Sequence, residues 1–573
     1  MRIRSRHFIL FAALVLASCA NRGVGPQGGP KDSIPPVPVK SEPENGAVNF
    51  TGRRIEITFN EYLQLDNIGN NLLMSPPQQR PPDVRARGKR LIIQFADSLR
   101  DSTTYTLDFG DAVCDFTEKN PLHNYTFGFS TGPTIDTLET CGRVYWAENL
   151  NPVRDIIVGI HDNPDDSAFT TQPFLRIARS DSAGYFRICN MKDGRYRMYA
   201  VDDVMRDYRL TAGEALAFIE NEVGPGDTTN LFLFKEQQQR LYLQRTLREQ
   251  QHRIQILFST SPDSLPQIRP LLDSTELHYH TQYSRLGDTV TLWLLDSSSI
   301  KQDSLFFEVQ FRRTDSIYHL EWATDTVRAI WRAPRLTAKA QEALARKNRN
   351  RKVTLKSNAS KTFEIYDTLR IISTTPLAVI QREAIHLVEK IDTVYKDVPF
   401  ELASHDSIPM ELLLPAKLEP AKKYELRLDS GALVDVYGIT HDKVTFALTL
   451  KSVEDYSTIN VKMTNCPSAA RIQILNKNDK VIRELPAEPA GTLFKYLRPD
   501  GYYIRMYIDL DGDGKWTTGS WEERRQPEPV YYFPEKIQTK SNWDFEEEWD
   551  YTVLPQLEAK PKELLKVHSV KKK

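Results

Sequence analysis

Two stretches of this chain occur twice, far apart in its 573 residues. "LRDSTTYTLDFGDAVCDFTE", from Leu99, returns as "LEPAKKYELRLDSGALVDVYG", from Leu418, with Tyr424 answering Tyr105, Leu426 answering Leu107 and Asp435 answering Asp115. "GRYRMYAVDD" returns as "GYYIRMYIDLD", which sets Arg505-Met506-Tyr507 over Arg197-Met198-Tyr199. A chain that repeats itself in this way is an array of modules, and its length already exceeds what one hydrophobic core serves. The first of these pairs alternates apolar and polar residues, the period of a strand with one buried face. With 34 prolines and 26 glycines punctuating such runs, the chain reads as all-β.

The N-terminus carries an address. Arg2, Arg4 and Arg6 precede an apolar run, Phe8 to Leu16, that is too short to span a bilayer as a helix. This signal peptide, residues 1–18, ends in Leu16-Ala17-Ser18-Cys19, which resembles the bacterial lipobox. The resemblance implies acylation of Cys19 as the first mature residue, with the acyl chains buried in the outer membrane, since Ala20 is not the Asp that typically retains such proteins at the inner membrane. The leaflet stays open. Residues 19–35, "CANRGVGPQGGPKDSIP", have almost nothing apolar to bury and read as a tether.

Beyond the tether, Ile55-x-Ile57-x-Phe59, Ser75-Pro76, Leu99, the run Thr103 to Leu107, Asp115 and the run Phe127 to Gly132 resemble the SbsA-type bacterial Ig-like domain over residues 36–135. The resemblance implies an Ig-like sandwich with a spacer or adhesive role and no catalysis. Residues 136–235, with Gly184, Phe186, Ile188, Met191, Gly194, Tyr196, Met198 and Ala200, resemble the prealbumin-like or carboxypeptidase-regulatory-like sandwiches. The internal repeats then place a second Ig-like copy at 353–452 and a second prealbumin-like copy at 453–549, with a diverged Ig-like sandwich at 236–352 between. The order Ig, prealbumin, Ig, Ig, prealbumin predicts a rigid rod. "TAKAQEALARKNRNRK" predicts a short helix at a junction, and residues 550–573 a frayed basic tail.

Within the last module, "DLDGDG" sets Asp509, Asp511 and Asp513 at the spacing of calcium-loop ligands, with Gly514 at the sharp turn. Ser520 stands where the bidentate Glu belongs, and a strand precedes the loop where an EF-hand needs a helix. Two readings stay open: a structural Ca²⁺ site, or an acidic turn whose carboxylates bind backbone amides. Trp516, Trp521 and Trp543 lie in an aromatic-rich segment that either packs the sandwich or stacks on sugar rings. Cys141 and Cys189 could pair in an oxidising compartment or remain free thiols.

No Gly-x-Ser-x-Gly elbow, phosphate loop or His-Glu-x-x-His motif occurs, and His278 with His280 lacks a third ligand at metal spacing. Lys plus Arg (75) balances Asp plus Glu (76), so no global field draws the chain to nucleic acid. The sequence therefore predicts a non-enzymatic, lipid-anchored scaffold that presents surfaces to an envelope protein partner. Glycan binding or adhesion through the C-terminal aromatics is the alternative.

Overall fold

The computed structural model describes residues 32–236, 240–271, 277–315, 320–332, 337, 339, 342–343, 346, 351–406, 408–566 and 568–569. The signal peptide, Cys19, most of the tether, most of the helix expected after Thr337 and the last four residues lie outside the described residues. The chain is all-β: mainly antiparallel sheets pair face to face, module after module.

In the first module one sheet runs Pro38–Glu42, Arg54–Phe59, Arg90–Gln94, Asp83–Arg87, and the facing one Leu73–Ser75, Thr104–Asp108, Thr126–Ser130. Ile55, Ile57 and Phe59 meet Tyr105, Leu107, Phe127 and Phe129 between the sheets. Tyr105 is buried, and its hydroxyl accepts the Arg100 amide at 2.7 Å, a tyrosine corner that pins the chain five residues upstream. Tyr424 does the same with the Glu419 amide at 2.9 Å. A two-stranded ribbon joins Leu63 to Asp115 in the first copy and Leu377 to Asp435 in the second. Burial alone would push the Asp115 carboxyl up, but the amides of Asn120, Glu118, Lys119 and Thr117 hold it below its ordinary range. The residues matched in the sequence are thus those that fix the corner and the ribbon. The copies differ at one edge. Asp83–Arg87 pairs with Arg90–Gln94, whereas Val394–Asp397 crosses to the other sheet and pairs with Ile385–Ile391.

The segments 136–235 and 453–549 share a second topology. In the first, Leu138–Trp146 lies between Tyr185–Met191, antiparallel, and Thr228–Leu233, parallel. In the second, Ser457–Thr464 lies between Thr492–Leu497, antiparallel, and Asp544–Asp550, parallel. The facing sheets agree as well: Arg176–Arg179, Ile157–His161, Arg197–Val201, Leu216–Phe218 in one; Val481–Pro486, Ala470–Leu475, Gly501–Ile508, Val530–Tyr532 in the other. Residues 236–352 form sheets of their own, with Ser304–Thr314 and Leu320–Ile330 as the long hairpin.

The modules do not form a rod. The sandwich at 453–549 folds back onto the one at 136–235, so that Trp521 lies among Phe169, Tyr199, Phe218 and Phe234. The Ile157–His161 and Gly501–Ile508 strands are covered on both faces, the first largely by Phe174 and Phe169 of its own module, and nearly every residue in them is buried. The expectation of a rod fails because their apolar residues run continuously instead of alternating, which calls for a second partner layer. Other joints are also made by specific groups. Arg176 donates to the Thr104 carbonyl at 2.7 Å, Tyr437 donates to the Leu294 carbonyl at 3.1 Å, and Glu364 gathers Lys451, Arg498 and the Tyr456 hydroxyl. Gln267–Pro270 opens the smaller sheet of the 236–352 module and its Ile268 carbonyl accepts the Tyr279 hydroxyl at 2.9 Å, while His280 of the other sheet lies 3.8 Å from Asp406 of the next module.

The expected frayed tail is corrected too: residues 551–566 pack into the joint, with Leu564 fully buried and Lys560 almost so, and His568–Ser569 pairs with Val153–Arg154. Cys114, Cys141, Cys189 and Cys466 are free thiols.

His161 sits in the core between Phe174 and Tyr199, and burial pulls its imidazole from an ordinary 6.5 down to about 4. A base depressed in this way stays neutral in the folded chain while the unfolded chain takes up a proton below pH 6.5, so its contribution falls as pH drops from 6.5 to 4. His161→Phe removes that titration. Urea unfolding at pH 7 and pH 5 is expected to show the native chain losing stability relative to the variant by roughly 1.4 kcal/mol per pH unit inside the window.

Candidate functional site

The joint between the two related sandwiches gathers most of the residues singled out in the sequence. Trp521 meets Phe169, Tyr199 and Phe218 edge-on, at centroid separations of 4.9, 5.7 and 5.3 Å. The Arg524 guanidinium lies 3.3 Å over the Trp521 ring and pairs with Asp166 at 3.1 Å, so the indole is closed in from both sides. Gly519 lets the backbone of one module touch Phe234 of the other: a Cβ there would lie 2.6 Å from the ring. Thr518 donates to the Lys235 carbonyl at 3.0 Å, Gln526 to the Phe218 carbonyl at 3.0 Å, and the Trp521 amide to Glu236. Trp516 packs beside these groups and gives its indole N–H to the Glu528 carbonyl at 3.0 Å. Trp543 stands apart, 55% exposed and stacked on Phe545. The three tryptophans therefore do not converge on one ligand surface.

A polar centre closes the other end of the joint. Lys560 reaches Asp479 at 3.0 Å, Asn151 at 2.8 Å and the Asn149 carbonyl at 2.6 Å. Tyr532 bonds Asp479 and the Asn149 carbonyl, and Arg505 bonds Gln473 and the Glu148 carbonyl. Burial pulls the Lys560 ammonium down to about 8, with Asp479 opposing the fall. The tail has few apolar residues; Leu564 fills the joint, and the buried Lys560–Asp479 pair with the Gln556 and Lys566 hydrogen bonds completes its order.

The acidic loop borders the joint. Oxygens of Asp509, Asp511 and Glu528 lie within 4.8 Å of one another, and Asp513 is not in the group. Glu528 is the member that spacing misses, because it arrives from "QPEPV", just before the Val530–Tyr532 strand and well beyond the Asp509–Asp513 spacing. Asp509 accepts the amides of Gly512 at 2.7 Å and Gly514 at 3.0 Å; Glu528 accepts those of Leu510 at 2.6 Å and Thr517 at 2.9 Å. Asp511 and Asp513 each accept an amide two residues on, at 3.2 and 2.7 Å. Burial raises the Glu528 carboxyl despite those amides, whereas the Thr517 hydroxyl and the Asp513 amide hold Asp511 low. Three carboxylates form a hard-oxygen set of the kind Ca²⁺ takes. Both oxygens of Asp509 and of Glu528, however, already close the turn by binding amides, and a cation would have to share them.

With this geometry in view, residues 32–131 match the bacterial Ig-like domain family, so the first module is a bacterial Ig-like domain. A comparison with curated proteins gives no match. Among solved structures, the N-terminal part of the S-layer protein SbsC is 10% identical over 30% of this chain and 44% of that one, with a TM-score of 0.17; the chain thus spans less than half of it. The major pilin subunit BcpA of Bacillus cereus is 9% identical over 72% of this chain and 98% of that one, TM-score 0.13. The titin Ig tandem A164–A165 is 12% identical over 37% and 96%, TM-score 0.12.

If amides close the loop, Asp509→Ala removes the acceptor of the Gly512 and Gly514 amides, one exposed and one half-buried, and is expected to cost about 1 kcal/mol of unfolding free energy, equally in EDTA and in millimolar Ca²⁺. Calcium titrated into the native chain is expected to leave Tm unchanged. A rise of several degrees that Asp509→Ala abolishes would instead establish a structural ion.

Proposed function

We propose that the chain is a non-enzymatic, lipid-anchored envelope protein whose sandwiches present binding surfaces to a protein partner at the outer membrane. The observation that carries this reading is how the polar clusters are used. Lys560 with Asp479, Glu364 with its three partners, and the Asp509 to Glu528 loop all hold modules or turns in place. Groups committed to such joints make a stiff frame rather than a reacting centre. The bacterial Ig-like domain at residues 32–131 is in keeping with a structural role. The lipobox-like end of the signal segment supplies the anchor through Cys19, and the Gly- and Pro-rich tether supplies the distance from the membrane. Glycan capture through the aromatics retains Trp543 with Phe545 as its surface, since Trp516 and Trp521 are committed to the joint.

In-cell crosslinking followed by purification of the acylated protein from membranes is expected to recover an envelope protein in stoichiometric amount. Recovery of the chain alone, together with specific signals on a glycan array that Trp543→Ala removes, would favour the glycan reading.

A further inference from the structure

We propose that the cleft beside the joint takes an extended, basic peptide segment of a partner protein, added as a strand to the open edge of Thr228–Leu233. This rests on the scaffold reading and assigns it a surface.

The cleft holds about 710 Å³ between the two related sandwiches. One wall is the Thr228–Leu233 strand, the last strand of its sheet. Its parallel pairing with Leu138–Trp146 fixes which of its groups are used. The Cys141 amide donates to the Asp227 carbonyl, and the Ala147 amide to the Leu233 carbonyl. Odd-numbered residues therefore turn their N–H and C=O groups toward that neighbour. Gly142 permits the close approach, because a Cβ there would lie 1.7 Å from the Thr229 carbonyl oxygen. Thr228, Asn230 and Phe232 turn theirs the other way, into the cleft, and their backbone groups have no hydrogen-bond partner among the described residues. Only beyond them does the edge pair again, Phe234 with Leu216. Three consecutive outward-facing positions of an open edge form the template to which an extended segment adds.

The opposite wall, "QPEPV" from Gln526, includes Pro527 and Pro529, which have no N–H to offer, so an incoming strand would ladder on one side only. Charge selects the occupant. The lining includes Glu220, Glu222, Asp227 and Glu528 and no Lys, Arg or His. Asp227 is paired to Arg195 and Glu528 is occupied by amides, but Glu220 and Glu222 are exposed and have no side-chain partner among the described residues. Phe232 and Val530 give an apolar floor for alternate side chains. An extended segment alternating apolar and basic residues fits both properties.

The test uses the full mature chain in detergent and two labelled hexapeptides, one alternating Val with Lys and one alternating Val with Glu, followed by fluorescence anisotropy at low and high salt. The Lys peptide is expected to bind at least about tenfold more tightly than the Glu peptide, with affinity falling as salt rises. Asn230→Pro, which removes one free edge N–H, and the surface pair Glu220→Lys with Glu222→Lys are each expected to weaken it by a similar factor, with Tm unchanged. If Asn230→Pro fails to fold, the charge pair alone decides. Equal binding of both peptides, binding untouched by the charge pair, no binding, or a native chain that self-associates through this cleft would each overturn the proposal. A partner recovered by crosslinking alongside peptides that fail would leave the scaffold reading standing and remove only the cleft from it.

Discussion

The rest of the architecture depends on the Gly501–Ile508 strand being buried on both faces. Its inner face fills a sandwich with Tyr502, Ile504 and Met506, and its outer face brings Tyr503 and Tyr507 against Leu150, Leu564 and Tyr532. A solitary sandwich would leave that outer face in water, a contiguous apolar patch of the size that monomers avoid. Docking on the earlier sandwich removes it, and the 551–566 segment seals the margin. Two sandwiches separated by more than two hundred residues are thereby made into one unit, with the intervening modules bridging between them.

The same fold copy answers different needs at its two positions. Both members of the pair keep the strand order and the parallel closing strand, yet they contribute different groups to the joint. The earlier copy supplies Tyr199 and Phe218 from its outer sheet face and Phe169 from the short helix Ala168–Thr171, and the later one supplies Trp521 and Arg524 from a long loop. The loop carries the acidic cluster at its base, where Asp509 and Glu528 shape the turn that delivers Trp516 and Trp521. The feature that reads as metal chemistry in the sequence thus has a second use, as the rigid root of an inter-module contact. In the Ig-like copies the conserved geometry is local: a corner tyrosine and a ribbon aspartate survive while an edge strand changes sheets.

Much of this was legible. The internal repeats gave the correct equivalences, because Tyr105 with Tyr424 and Asp115 with Asp435 satisfy backbone groups that every copy must satisfy. Strand alternation located the one-sided strands. The stretches "YYIRMYI" and "IIVGIH" are instead continuous runs, and a continuous run signals cover on both faces. The tail shows the opposite case: its order comes from Leu564 and from Lys560 reaching a buried carboxylate, which no local pattern announces. Glu528 was invisible to spacing because it joins Asp509 and Asp511 only through the fold.

The central claim is that the chain closes on itself through the two related sandwiches. Small-angle X-ray scattering of the native chain beside Gly519→Val tests it most directly, because a valine there meets the Phe234 ring. The account predicts a compact pair-distance distribution for the native chain and a longer maximum dimension for the variant, each module still folded by circular dichroism. An extended, rod-like distribution for the native chain, indistinguishable from that of the variant, would contradict it.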